Sequence, residues 1–249
     1  MLSIDIGAFF GDIFAWLQNA WASLSADFYL NFIKEDRWKY LVRGLGVTIE
    51  VAFFAAIAGI ILGALLAIIR TTADKTGKLR FLNGIAKLYI TVIRGTPVVV
   101  QLLIINFVIF SSVFVDAVVV AIIAFGLNSA AYVAEVFRSG IMSVDEGQFE
   151  AGRSLGFNYR QTMWHIVMPQ AFKNVLPALA NEFITLLKET SVSGYIGLMD
   201  LTKAGDIIRS RTFAAFFPLI AVALIYLVIV VALSAGVTKL ERRLRNGAR

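Results

Sequence analysis

Two long apolar stretches restrict this chain to one kind of fold. Residues 44–69 contain a single charged residue, Glu50, and residues 213–237 contain none. A helix of about 20 apolar residues is long enough to cross the hydrocarbon core of a bilayer. In lipid, only helices and closed barrels satisfy all of their backbone hydrogen bonds. With 59% of residues apolar and 16% charged, the sequence predicts an all-α integral membrane protein.

We predict about five spanning helices, preceded by an N-terminal amphipathic helix. The predicted spans are residues 44–69, 81–110, 116–140, 173–187 and 213–237, and the second is interrupted at Arg94–Pro97. Residues 1–43 form a separate segment, in which apolar residues between 6 and 33 recur near a helical period. That pattern favours a helix in the membrane interface, with a sixth span as the alternative.

The residue types present argue against several chemical functions. The chain has no cysteine and one histidine, which excludes disulfides and gives no pattern of metal ligands. It also lacks the Gly-x4-Gly-Lys-Ser/Thr loop that binds nucleotide phosphates. We therefore expect a protein that is not an enzyme and that binds no metal or cofactor of its own.

A polar segment between apolar runs has the most informative spacing. It reads Glu150-Ala-Gly-Arg-Ser-Leu-Gly156 and is followed, after nine residues, by Ile166-Val-Met-Pro169. We predict a short helix over 149–155, ended by Gly156 in a left-handed conformation. The spacing closely resembles the cytoplasmic coupling loop of binding-protein-dependent ABC importer permeases, which usually has Ala at 152 and Leu at 168.

Two further motifs resemble the polar amino acid branch of that family, the histidine, glutamine and arginine type. They are Arg94-Gly-Thr-Pro97, followed by Val-Val-Val-Gln101, and Lys188-Glu-Thr-Ser191. The resemblance implies the transmembrane domain of a type I ABC importer (MetI-like) over 44–249, with the coupling loop at about 143–170. It assigns coupling to an ATPase to the following residues: Glu150, Ala151, Gly152, Leu155, Gly156 and Pro169.

The same resemblance implies a function and a set of partners. The chain would be the membrane-spanning permease subunit of an ATP-driven polar amino acid importer, giving alternating access. A second permease copy or a homologous permease, two ATPase subunits and an extracytoplasmic amino acid-binding protein would complete the transporter. ATP and Mg²⁺ would be bound by the ATPase subunits. The alternative from another class is a secondary amino acid transporter or channel without an ATPase, although no segment of the chain is repeated as in many such carriers.

The distribution of charge predicts an orientation in the plasma or inner membrane of a prokaryote. Segments 70–80, 138–173 and 239–249 together carry 13 Lys and Arg against 5 Asp and Glu. Segments 1–43, 111–117 and 188–212 carry 8 basic and 9 acidic residues. Because Lys and Arg are retained on the cytoplasmic side, we expect the N-terminus outside, and the C-terminus and the coupling loop inside.

Charged residues within the predicted spans indicate a possible substrate site. Arg94 and Glu182 lie 13 and nine residues into their spans, at about 20 and 14 Å from the inner surface. Together they could hold the carboxylate and ammonium groups of an amino acid. Pairing of the two residues with each other, or with backbone carbonyls, is an equal alternative. Asn128 could bind substrate through a hydrogen bond, but a polar contact between helices is the stronger interpretation.

Overall fold

The computed structural model describes the backbone of residues 6–246 and the side chains of residues 15–244. Within that range the chain forms helices and connecting turns, without strands. The α-helices are α1 Ile6–Phe28, α2 Trp38–Thr76, α3 Arg80–Arg94, α4 Val98–Ile104, α5 Ala117–Met142, α6 Glu146–Ser154, α7 Tyr159–Thr162, α8 Met168–Glu189, α9 Leu201–Thr212 and α10 Phe216–Asn246. Three π-helical segments, Tyr29–Ile33, Ile105–Ile109 and Met163–Val167, continue neighbouring helices, and Lys34–Asp36 and Thr190–Ile196 are 3-10 turns.

In the described part of the chain, three of the five predicted spans are single helices long and apolar enough to cross a membrane, and a fourth qualifies when a bent pair of helices is counted as one span. Three are the single helices α2, α5 and α10, and the fourth is α3 together with α4 and its π-helical extension, which are bent by 108° at residues 95–97. The helix α8 does not meet the same criterion, because Lys173, Asn181 and Glu182 make it more polar. Several helices extend beyond the predicted limits: α2 begins at Trp38 rather than 44, and α10 continues to Asn246 rather than 237.

The centre of the fold is the contact between α2 and α5. The sequence places small residues at four-residue intervals along α2, and all of them are buried: Ala55, Gly59, Gly63 and Ala67. A Cβ atom at Gly59 would lie 2.8 Å from the side chain of Ser129, and one at Gly63 would lie 2.6 Å from Val133. The glycines therefore allow the two backbones to approach closely, as small residues do where membrane helices pack together.

The break between α3 and α4 lies at the predicted motif and is held by one glutamine. Pro97 precedes α4 in an extended conformation. Gln101 is buried, and its amide nitrogen donates to the carbonyl oxygens of Ile93, at 2.8 Å, and Thr96, at 3.1 Å. These bonds satisfy carbonyls that the bend removes from the helical pattern, which is a requirement for irregular backbone within a membrane.

The N-terminal segment is helical as predicted, and its end packs against α9. Asn31 is fully buried and accepts a hydrogen bond from the Thr212 hydroxyl at 2.8 Å. Phe32 joins an apolar cluster with residues of α9, including Leu201 and Ile208. Whether α1 lies in the membrane interface stays a prediction; the large apolar side chains Trp16 and Trp21 are exposed.

Candidate functional site

The predicted coupling helix is present as α6, but it begins three residues earlier than expected. Asp145 precedes it, and the Asp145 carboxylate accepts a hydrogen bond from the backbone of Gly147 at 2.7 Å. This N-cap satisfies one of the free amides at the start of the helix. An aspartate one residue before the helix was a usable signal, and the sequence interpretation missed it.

The end of α6 is the predicted left-handed glycine. Gly156 has φ of 78°. The backbone amide of Gly156 donates to Arg153 at 2.9 Å, and that of Phe157 donates to Gly152 at 3.0 Å. This pair of bonds is a Schellman motif, which satisfies the last carbonyls of the helix. Since a Cβ atom at Gly156 would meet nothing within 4 Å, glycine is required there by the backbone conformation and not by lack of space.

The nine residues between Gly156 and Ile166 are mostly helical and not a loop, which corrects the predicted start of the fourth span. Asn158 and Gln161 form a capping box that starts α7, and the following π-helical segment runs directly into α8. Pro169 lies in the first turn of α8, where proline is well tolerated. The turn at Gly156 therefore connects α6 to a continuous helical rod over residues 159–189.

Two contacts hold α6 in place: a buried glycine packs against this rod, and an aromatic ring lies next to the end of α2. Gly152 is buried, and a Cβ atom there would lie 2.6 Å from the Thr162 side chain. The Lys75 ammonium at the end of α2 lies 5.1 Å from the centre of the Phe149 ring. Burial raises the pKa of the nearby Tyr159 phenol above its usual range.

The same region presents apolar side chains at the surface. Leu155, at the end of α6, is 71% exposed, and Trp164 on the π-helical segment is 72% exposed. Glu150 and Ala151 are also exposed, and a cleft of about 340 Å³ lies beside them. Exposed large apolar residues beside charged ones are typical of a surface that binds another protein. We call residues 146–167 the coupling knob.

Farther into the bundle, Arg94 of α3 and Glu182 of α8 lie against residues of α5 that are one helical turn apart. The Arg94 guanidinium lies 5.1 Å from the centre of the Tyr132 ring, and the Ser129 hydroxyl donates to the Glu182 carboxylate at 3.0 Å. Ser129 and Tyr132 are three residues apart on α5, so they lie on one face. Arg94 is exposed and Glu182 is half-buried. We call these four residues the polar centre.

The direct ion pair that we considered is not formed within the described side chains. Arg94 and Glu182 are close enough for their charges to interact, but no nitrogen–oxygen contact within 4.0 Å joins them. A charged solute could therefore contact both groups without first separating an ion pair. The roles of Arg94 and Glu182 in substrate binding stay predictions.

Asn128 occupies a different position from these two residues. It is buried, and its amide donates to the Gln101 side-chain oxygen at 2.9 Å. Through Gln101 it is linked to the break between α3 and α4, so this bond is a polar contact between helices of the kind we considered. Its role in substrate binding stays a prediction.

One turn after Tyr132 on α5, Glu135 binds two arginines. Arg138 donates to Glu135 at 3.0 Å, as the spacing of three residues predicts. Arg70 of α2 binds the other oxygen of the same carboxylate. No sequence pattern indicates this second arginine, because its position depends on how α2 packs against α5. In the described part of the chain, no group of three acidic or histidine side chains could hold a metal ion.

Comparison with known proteins agrees with this geometry. Residues 59–246 match the family model described as "Binding-protein-dependent transport system inner membrane component". The arginine transport system permease protein ArtQ of Bacillus subtilis (strain 168) is 38% identical over 209 residues, covering 83% of this chain and 93% of that protein.

Solved structures resemble the fold over a similar range. "Crystal structure of an amino acid ABC transporter with histidines" has a TM-score of 0.77 and 41% identity, over 85% of this chain and 98% of the other. An inward-facing MetNI methionine ABC transporter has a TM-score of 0.70 over 83% of this chain and 97% of the other, and at 18% identity it supports the fold alone.

The family model covers about three quarters of the chain, and it includes the break at Pro97, the coupling knob and the polar centre. We conclude that the chain belongs to the family of inner membrane components of binding-protein-dependent transport systems, with the fold of a type I ABC importer transmembrane domain.

Proposed function

We propose that this chain is the membrane-spanning permease subunit of an ATP-driven importer of polar amino acids. The single observation that carries the proposal is the coupling knob. It is a capped helix that exposes Leu155 and Trp164 and is joined to α8 without a flexible linker. A rigid projection of this kind can transmit the movement of a bound ATPase to a membrane helix, and the relatives' names supply the amino acid substrate class.

The coupling mechanism follows from these connections. ATP binding by the partner subunits would bring two coupling knobs together. Because each knob continues into α8, which carries Glu182, the movement would reach the polar centre. The result is alternating access, in which ATP shifts the population between inward-open and outward-open states.

The proposed assembly contains two permease chains, two ATPase subunits and an extracytoplasmic binding protein. ATP and Mg²⁺ are assigned to the ATPase subunits, and the permease performs no covalent chemistry. We propose that it lies in the cell membrane of a prokaryote with its N-terminus outside and its C-terminus in the cytoplasm. The positions of the basic residues support this orientation, since it places the coupling knob on the side where ATP is present.

The polar centre is the proposed substrate site. Arg94 would bind the carboxylate of an amino acid, and Glu182 would bind its ammonium group or a cationic side chain. The support is geometric: each charge has a neutral partner, Tyr132 for Arg94 and Ser129 for Glu182, and these two partners lie one turn apart on the same face of α5. Neither charge forms an ion pair within 4.0 Å in the described part of the chain, so a zwitterion would complement both.

Reconstitution tests the proposal. The permease is purified with its ATPase subunits, placed in lipid vesicles with the binding protein, and its ATP hydrolysis is measured against a panel of amino acids. We expect hydrolysis to increase with one or a few polar amino acids and not with leucine or with sugars. Substrate-independent hydrolysis together with uptake in the absence of ATP would instead support a carrier without an ATPase.

A further inference from the structure

The helix α3 has a strongly cationic face that the sequence interpretation did not use. Arg80, Lys87 and Arg94 are seven residues apart, which is close to two helical turns, so all three lie on one side of the helix. Gly84 and Thr91 lie between them on the same side. Arg80, Lys87, Thr91 and Arg94 are all exposed. We call this set the cationic stripe.

The remaining surface of α3 has two other faces of different character. Asn83, Ala86 and Ile90 are buried against the rest of the bundle. Ile85, Leu88 and Val92 are exposed at 52%, 65% and 51%, and they form an apolar face suited to lipid. The cationic stripe lies between these two faces. Between Arg80 and Thr91 the stripe therefore faces neither the core of its own chain nor the surface best suited to acyl chains, and at its end Arg94 lies against Tyr132 of α5.

The depth of the stripe makes contact with lipid costly. At 1.5 Å per residue, Lys87 lies about 10 Å from Arg80, Thr91 about 16 Å and Arg94 about 21 Å. A lysine side chain near the end of a helix can extend to the interface, but Arg94 is too deep to do so. Charged groups at that depth face protein or a water-filled cavity.

The helix α8, which carries Glu182, has an exposed polar face as well. On α8, the side chains of Gln170, Asn174, Asn181 and Thr185 are exposed, and their spacing places them on one side of the helix. These groups are neutral, whereas those on α3 are cationic. A path bounded by amides and cations favours solutes that carry a negative group and hydrogen-bonding atoms.

We propose that the cationic stripe lines the cytoplasmic half of the substrate path and passes the carboxylate of the amino acid from Arg94 to Lys87 and then to Arg80. The stripe ends at the break after Arg94, next to the polar centre, so the path would begin at the substrate site. This inference rests on the proposed function and adds to it a direction and a chemical requirement. Solutes with a free carboxylate pass, and analogues in which the carboxylate is amidated do not.

Cysteine labelling tests the path, because the chain has no native cysteine. Single variants Gly84→Cys, Lys87→Cys and Thr91→Cys probe the stripe, and Ile85→Cys, Leu88→Cys and Val92→Cys are matched controls on the exposed apolar face. Inside-out vesicles that contain the assembled transporter are treated with thiosulfonate reagents of equal size and opposite charge. We expect labelling of the stripe only, with the anionic reagent reacting roughly tenfold faster than the cationic one.

Two labelling results would overturn the proposal. If the stripe positions remain as unreactive as position 88, the stripe is covered by protein or lipid. If both reagents react at equal rates, the path contains water but does not select anions. Both results are independent of the proposed function, since failure of ATP-driven uptake by the unmodified complex would reject the importer and leave the labelling pattern unchanged.

A transport measurement provides the second arm. Lys87→Gln should lower the maximal rate of amino acid uptake at least fivefold, Lys87→Arg should retain most of it, and the control Leu88→Gln should have a smaller effect than Lys87→Gln. Each variant is first checked for normal co-purification with the ATPase subunits. Uptake by Lys87→Gln at the unmodified rate would remove Lys87 from the path.

Discussion

Single residues of α5 connect the parts of the proposed substrate site. Ser129 and Tyr132 orient Glu182 and Arg94, while Asn128 holds the break between α3 and α4 through Gln101. The sequence identified the two charges, because charged residues are rare within apolar segments. It did not identify Ser129 or Tyr132, since such residues are common in membrane helices and only tertiary packing brings them to the charges.

Replacement of Glu182 tests the substrate site. Glu182→Gln removes a charge-assisted hydrogen bond worth about 1.5–3 kcal/mol, so the half-saturating substrate concentration should rise by roughly ten- to a hundredfold. The measurement is substrate occupancy of the detergent-solubilised permease complex without binding protein. Ser129→Ala leaves the charge in place and should cause a smaller increase. If Arg94→Met combined with Glu182→Leu leaves occupancy unchanged, neither residue binds substrate.

Gly152 provides a test of packing within the coupling knob. The related loops usually carry alanine at this position, but here a Cβ atom would collide with Thr162. Gly152→Ala should therefore destabilise the knob by about 1–3 kcal/mol, as overpacking of a filled interior does. The melting temperature of the purified complex would report the loss.

The matched control for Gly152 is a compensating change. Thr162 is buried and its hydroxyl has no partner within the described chain, so Thr162→Ala removes volume at little polar cost. Gly152→Ala combined with Thr162→Ala should recover most of the lost stability. If Gly152→Ala alone melts at the unmodified temperature, the close contact between these residues is not limiting.

At the level of helices, the sequence correctly predicted the features that proline and glycine impose on the backbone. The break at Arg94–Pro97 and the left-handed end at Gly156 both follow from proline or glycine, which act on the backbone directly. The extended limits of α2 and α10 were missed because charged residues continue a helix beyond the apolar segment. The helical course of residues 159–167 was missed because its capping box was not recognised.

The start of α9 offers a prediction at this level. Asp200 is buried and accepts hydrogen bonds from the backbone amides of Thr202, at 2.9 Å, and Lys203, at 3.1 Å. Asp200→Ala should cost about 1 kcal/mol, whereas Asp200→Asn keeps an oxygen that can cap the helix. Hydrogen exchange of α9 amides should become faster in the alanine variant only. Equal protection in both variants would show that packing against α2 alone fixes α9.

For the whole molecule, the direction of insertion determines which partner meets which surface. The charge asymmetry predicts the coupling knob inside and the loop before α5 outside. In a chain without native cysteine, Ser112→Cys and Lys203→Cys should react with a membrane-impermeant thiol reagent added to intact cells, and Thr76→Cys and Arg160→Cys should not. Labelling at position 76 from outside would show the opposite orientation, and the coupling knob could then not bind ATPase subunits in the cytoplasm.

In the proposed mechanism, ATP drives transport through the coupling knob. Gly156→Val places a β-branched residue at φ of 78°, which costs about 1–3 kcal/mol of backbone strain, while Gly156→Asn tolerates that conformation. The most direct test is accumulation of labelled amino acid by vesicles that contain the permease, its ATPase subunits and the binding protein, with and without enclosed ATP. We predict ATP-dependent accumulation by the unmodified and Gly156→Asn complexes and little accumulation by the Gly156→Val complex. Accumulation without ATP, or accumulation by the Gly156→Val complex at the unmodified rate, would contradict coupling through the knob.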